Sequence, residues 1–158
     1  MKNYISILTE KERQSLYKAP VYVSLLGALD DGKITSKEMK EATTLVHYRT
    51  FTSNPILHEY YKKAEDYFIH NIEKEKIMLP INVKQAKEDY HIKLEEVNTI
   101  LSKVDTKFSN ELKKSLYSLA NHVANADNNW IQALSILVDP FIDSPNLEVS
   151  DDLFEKEN

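Results

Sequence analysis

The chain is predicted to fold as an all-α, compact bundle, and three observations carry that expectation. Apolar residues recur three and four positions apart through most of the sequence, the spacing of one helix face. Two glycines and five prolines among 158 residues leave little turn material for an all-β fold. Thr or Asn followed three residues later by Glu or Gln stands ahead of several apolar runs, as helix starts require.

Thr9 with Glu12 forms a capping box that opens a short helix to about Lys18, in which Leu16 and Tyr17 face the core. Pro20 suits the first turn of a second helix. Its Val21, Tyr22, Val23, Leu25, Leu26, Ala28 and Leu29 leave almost no polar face, which places it in the middle of the bundle. Gly32 takes a positive φ without steric cost, so this helix is expected to end there. Thr35 and Glu38 form a second capping box, and a third helix follows from Ser36 to about Thr50 with Met39, Ala42, Val46 and Arg49 on one stripe. His47 lies off that stripe and reads as a surface residue.

Ser53-Asn54-Pro55 starts a long fourth helix to about Ile77, with Leu57, Tyr61, Ala64, Phe68 and Ile72 on its stripe. Tyr60 and Tyr67 widen the stripe to an aromatic face, read as core rather than as a stacking platform for bases. After Pro80, Asn82 with Gln85 caps a fifth helix whose Val83, Ala86, Tyr90, Leu94, Val97, Leu101 and Val104 form the clearest amphipathic stripe. A sixth, roughly Lys107 to Ala126, repeats the pattern with Phe108, Leu112, Leu116, Leu119 and Val123. Asp127-Asn128-Asn129 makes a turn, and Trp130 opens a short seventh helix before Pro140. Residues 1–142 are expected to form one helical domain of about seven helices, and 143–158 an acidic, partly disordered tail.

The formal charge of −5 is concentrated in that tail, where Asp143, Glu148, Asp151, Asp152, Glu155 and Glu157 face only Lys156. Elsewhere lysines alternate with acids, which argues against nucleic-acid binding, since that needs a clustered basic face. The tail suits a basic protein partner. No apolar run reaches the roughly 18 residues of a membrane span, no secretory leader is legible and there is no cysteine, so a cytoplasmic location is expected. The oligomeric state is left open, a homodimer included.

Catalytic patterns are not found: the two glycines, Gly27 and Gly32, form no phosphate-binding loop or nucleophile elbow. Glu88 and His91 have the Glu-x-x-His spacing of a di-iron ligand pair, but no second copy exists and the pair reads as surface. Metal-ligating residue types do cluster at one helix corner. Asp30, Asp31 and Glu38 surround Gly32, and Asp127 ends the sixth helix at a similar corner. The cluster does not match a calcium-binding EF-hand loop, because Gly27 and Leu29 fall where its first carboxylates belong. The capping box accounts for Glu38 without a metal; the alternative is a looser divalent-cation site from Asp30, Asp31, Glu38 and Asp127 if the two corners meet.

Leu8-Thr9-Glu10-Lys11-Glu12, Leu16, Ala19-Pro20, Asp30-Asp31-Gly32-Lys33-Ile34 and Glu38 together resemble the opening half of TerB-like domains, named after the tellurite-resistance protein TerB. Val123-Ala124-Asn125-Ala126-Asp127 is similar to that family's second acidic corner, with Asn128 where glycine is usual. The resemblance spans roughly Leu8 to Pro140. It implies a helical fold in two interleaved halves, a non-catalytic interaction or stress-response scaffold, and acidic corners proposed to bind metal. No cofactor other than a divalent cation is implied.

Replacing Gly32 by Val is expected to cost about 1–3 kcal/mol, because a β-branched residue is strained at positive φ. Thermal denaturation checks this, and an unchanged melting temperature would place Gly32 outside that conformation.

Overall fold

Ten consecutive residues of one helix, Ala19–Ala28, are buried, and every other α-helix among the described residues touches it. The computed structural model describes residues 3–29, 35–79 and 82–124. Among them are six α-helices: α1 Glu10–Tyr17, α2 Ala19–Ala28, α3 Ser36–Thr52, α4 His58–Ile77, α5 Val83–Leu101 and α6 Thr106–Ala124. A 3-10 turn, Pro55–Leu57, leads into α4. No described residue is in a strand.

The helix starts follow their sequence signals. Thr9 Oγ1 accepts from the Glu12 amide at 3.2 Å while the Glu12 carboxylate accepts from the Thr9 amide at 2.8 Å. Thr35 and Glu38 repeat this at the start of α3, at 3.1 and 2.7 Å. Asn82 Oδ1 accepts from the amides of Lys84 and Gln85, but the Gln85 side chain donates to Asp89 at 2.9 Å instead of returning to the cap. That start is therefore half a capping box. The Asp105 carboxylate accepts from the Phe108 amide and caps α6. Each cap satisfies amides that lack an intrahelical partner.

Burial also follows the stripes. Met39, Ala42, Val46 and Arg49 are the buried residues of α3, and Leu16 and Tyr17 those of α1. On α5 the core face gains Ile100, while Val83 is only partly covered; the helix ends at Leu101, so Val104, also partly covered, falls in the turn beyond it. The α-helical part of α2 stops at Ala28, short of the expected end at Gly32, and tightens to a 3-10 turn at Leu29. Asp30, Asp31, Gly32, the turn from Asp127, the expected seventh helix and the acidic tail lie outside the described residues.

α2 packs most extensively against α6, and α3 against α4. The α2–α6 approach is set by Gly27: a Cβ built there would stand 2.7 Å from the Ala120 carbonyl oxygen and 3.5 Å from Val123 Cβ. Alanine favours a helix interior over glycine by about 1 kcal/mol. That gain is outweighed here, because a backbone carbonyl cannot swing aside as a side chain would. Gly27→Ala is expected to lower stability by about 1–3 kcal/mol, the usual cost of overpacking. Chemical denaturation checks it, and a stabilised variant would show that α2 and α6 can separate freely.

Candidate functional site

Of the four acidic residues singled out as metal ligands, Glu38 is described, and its Oε2 atom is engaged by the Thr35 amide. Asp30, Asp31 and Asp127 lie outside the described residues. Among the described residues no three acidic or histidine side chains are grouped to hold a metal ion. His58 donates to the Ser53 carbonyl at 2.8 Å and His70 to that of Asp66 at 2.6 Å, so both are tied to local backbone. His47 pairs with Glu65 at 2.6 Å. His91 faces Glu95 at 3.4 Å, one turn along α5.

The structure instead brings together five aromatic rings from four parts of the chain. Tyr67 stacks on Tyr17 with centroids 5.3 Å apart, Tyr17 on Tyr60 at 5.8 Å, Tyr60 meets Phe108 edge to face at 6.2 Å, and Phe108 stacks on Tyr4 at 5.3 Å. The rings come from α4, α1, α6 and the segment before α1. Such pairs add about 0.5–1.5 kcal/mol each beyond the area they bury. The Tyr60 hydroxyl donates to the Leu16 carbonyl at 2.7 Å, which satisfies the most deeply buried phenol of the row.

Along the row runs a groove of about 740 Å³. Its walls are Tyr4, Tyr17, Tyr60 and Phe108, with Ile5, Pro55 and Ile56. Asn3, Asn54, Glu59, Lys63 and Lys107 supply its polar groups. Glu59 is paired with Lys62 at 3.3 Å. Lys63 and Lys107 are exposed and make no ion pair or hydrogen bond among the described residues. Asn3 and Asn54 each use the amide oxygen to accept a backbone N–H, from Ile5 and Ile56, which turns their side chains into fixed parts of the wall. Burial raises the Tyr17 hydroxyl above its ordinary pKa, and burial raises Tyr60 further, so these two phenols stay protonated near neutral pH.

Two other surfaces carry functional side-chain types. A shallower depression of about 670 Å³ runs along one face of α5, over Val83, Lys84, Lys87, Glu88, His91 and Ile92. Where α2, α4 and α5 meet, Lys93 Nζ lies 5.0 Å from the Tyr22 ring and 5.5 Å from that of Tyr90, and 3.6 Å from Glu75. Tyr90 donates to Glu75 at 3.4 Å. Burial, with the Glu75 and Glu96 charges nearby, pushes the Tyr22 phenol up to about 12, and burial beside Glu75 raises Tyr90 as well. These two phenols are hydrogen-bond and cation–π groups, not acids that titrate near neutrality.

The sequence signalled parts of this arrangement. Tyr17, Tyr60, Tyr67 and Phe108 were legible as core positions, but no local pattern shows that they meet in one row, and Tyr4 precedes the first helix and sits on no stripe. No family model, no curated protein and no solved structure matches the chain.

Among the described residues Lys113, on α6, is the one buried lysine, and its ammonium makes no hydrogen bond or ion pair there. Desolvation lowers its pKa. Between that lowered value and the ordinary lysine value of 10.5, the unfolded chain binds more protons at this group than the folded one, so its contribution to stability rises with pH across this window. Lys113→Met is expected to raise stability at pH 7 by about 0.5–1 kcal/mol and to remove that rise. Melting curves from pH 7 to 11 check both parts, and a destabilised variant would mean that the ammonium is favourably placed.

Proposed function

We propose that the chain is a non-catalytic, TerB-like binding module, an interaction scaffold, and that the aromatic groove is where it takes its ligand. The observation that carries this reading is the aromatic row behind a half-open groove with two lysines at its edge that make no ion pair or hydrogen bond among the described residues. Burying rings is ordinary core chemistry; leaving a cleft of ligand size along them, edged by a few fixed polar groups, is the usual composition of a binding pocket. Phenols held protonated suit recognition rather than acid–base turnover near pH 7. The resemblance of Leu8 to Glu38 to TerB-like domains supports the scaffold reading on the side of sequence.

One carboxylate oxygen of Glu38 stays outside its capping box, which leaves room for the second reading, a divalent-cation module of Asp30, Asp31, Glu38 and Asp127. That reading requires calcium, magnesium or zinc to raise the melting temperature, and Asp31→Asn to abolish the rise.

The groove reading is tested by a fragment screen on isotope-labelled protein. Bound fragments are expected to shift the resonances of Tyr4, Tyr17, Ile56 and Phe108. Ile56→Trp, which fills the groove from its half-buried edge, is expected to weaken them about tenfold or more, or 1.4 kcal/mol. Ile92→Ala on α5 is expected to leave them unchanged. Fragments that gather on α5, or that ignore Ile56→Trp, would overturn the assignment.

A further inference from the structure

The chemistry of the groove narrows its ligand, provided that the groove is the binding site. We infer that it takes a small planar aromatic anion, whose ring packs on the wall of Tyr4, Tyr17, Tyr60 and Phe108 and whose charge is met by Lys63 and Lys107.

The wall favours a flat ring. Four aromatic side chains line the groove, Tyr4 half-buried at its surface with the buried rings of Tyr17, Tyr60 and Phe108 behind it, and successive rings meet at 5.3–6.2 Å, so a further ring extends the array from Tyr4 by stacked or edge contacts. An aliphatic ligand of equal size would bury similar area without that geometry. The edge favours negative charge. Glu59 is the one acid lining the groove and is already held by Lys62, while Glu10, whose charge also reaches Lys63, is held by Arg13 and Gln14. A cationic ring would gain attraction to the ring faces but meet two ammonium groups, and the groove has no unpaired carboxylate to offset them. The start of α6 adds little, because Asp105 already caps it with a carboxylate. The lysines therefore set the sign.

Size favours a small molecule. A volume of about 740 Å³ lies within the range of small-ligand clefts. A nucleic acid would need a track of several phosphate contacts, and only two lysines line this groove. The anionic group can be a carboxylate or a phosphate, since both accept from an ammonium.

Four probes titrated into the full chain separate these terms, with resonances of Tyr4, Tyr17, Phe108 and Ile56 as the readout: benzoate, phenyl phosphate, benzamidine and cyclohexanecarboxylate. Benzoate and phenyl phosphate are expected to bind saturably, the tighter of the two identifying the anionic group, and the other two to bind several-fold more weakly. Lys63→Gln and Lys107→Gln, both at exposed positions that leave the fold intact, are each expected to weaken the anions about two- to fivefold, as a solvent-exposed charge contact does. Benzamidine or cyclohexanecarboxylate binding as tightly as benzoate would overturn the ligand class while leaving the groove a binding site. If all four leave the groove resonances unmoved, the ligand class is overturned, and the fragment screen with Ile56→Trp decides separately whether the groove binds at all.

Discussion

The contact on which the rest of the bundle depends is the one between Gly27 and Ala120. Two helices can pass with a backbone carbonyl against a Cα only where one of them lacks a Cβ, and Gly27 provides that place at the centre of the molecule. The consequence is the unusual burial of α2: all ten of its residues are covered, because α6 approaches on one side at this distance and α5, α4, α3 and α1 complete the enclosure. A helix that is apolar all round can be stable only in such a position. Ser24 is the exception on its surface, with a buried hydroxyl that has no hydrogen-bond partner among the described residues.

The second constraint is polar. Arg49 sits on the buried face of α3 with its guanidinium 5.9 Å above the Tyr61 ring, and it donates to Ser115 on α6. The Ser115 hydroxyl also meets the Tyr61 hydroxyl at 2.5 Å. Three helices thus share one hydroxyl, which fixes the rotation of α3, α4 and α6 relative to one another more narrowly than apolar contact does. A buried cation is costly to desolvate. Its hydrogen bond and its place over the ring offset part of that cost, and the arrangement holds only while all three side chains remain in register.

These two features mark where the sequence is readable and where it is not. Helix periodicity is local, so Met39, Ala42, Val46 and Arg49 could be placed on one buried stripe, and Arg49 could be seen to be buried, without knowing what it meets. Capping is local too, which is why Thr9–Glu12 and Thr35–Glu38 are found as read. The Asn82 start shows the limit: Gln85 has two partners within reach, the cap and Asp89, and spacing alone does not choose between them. Gly27 carries no local signal, because its reason lies ninety-three positions away at Ala120. The same holds for the site. Glu38 is where the capping signature puts it, whereas the aromatic groove unites Tyr4, Tyr17, Tyr60 and Phe108 across distances that no periodicity spans.

The groove is also fixed by interactions that belong to the fold rather than to any ligand. Ile5 and Leu8 are buried, and Arg13 on α1 donates to the Leu8 carbonyl at 2.6 Å, so the segment carrying Tyr4 is tied to the bundle at both ends. Tyr60 is held by the Leu16 carbonyl, and Phe108 follows directly from the Asp105 cap of α6. Three of the four rings of the wall are thus set by contacts to backbone groups, and a ligand entering the groove would not have to order them. Preorganisation of this kind reduces the entropy lost on binding. It also means that the residues which stabilise the bundle and those which shape the groove are the same, so core rings here cannot be exchanged without altering the surface they present.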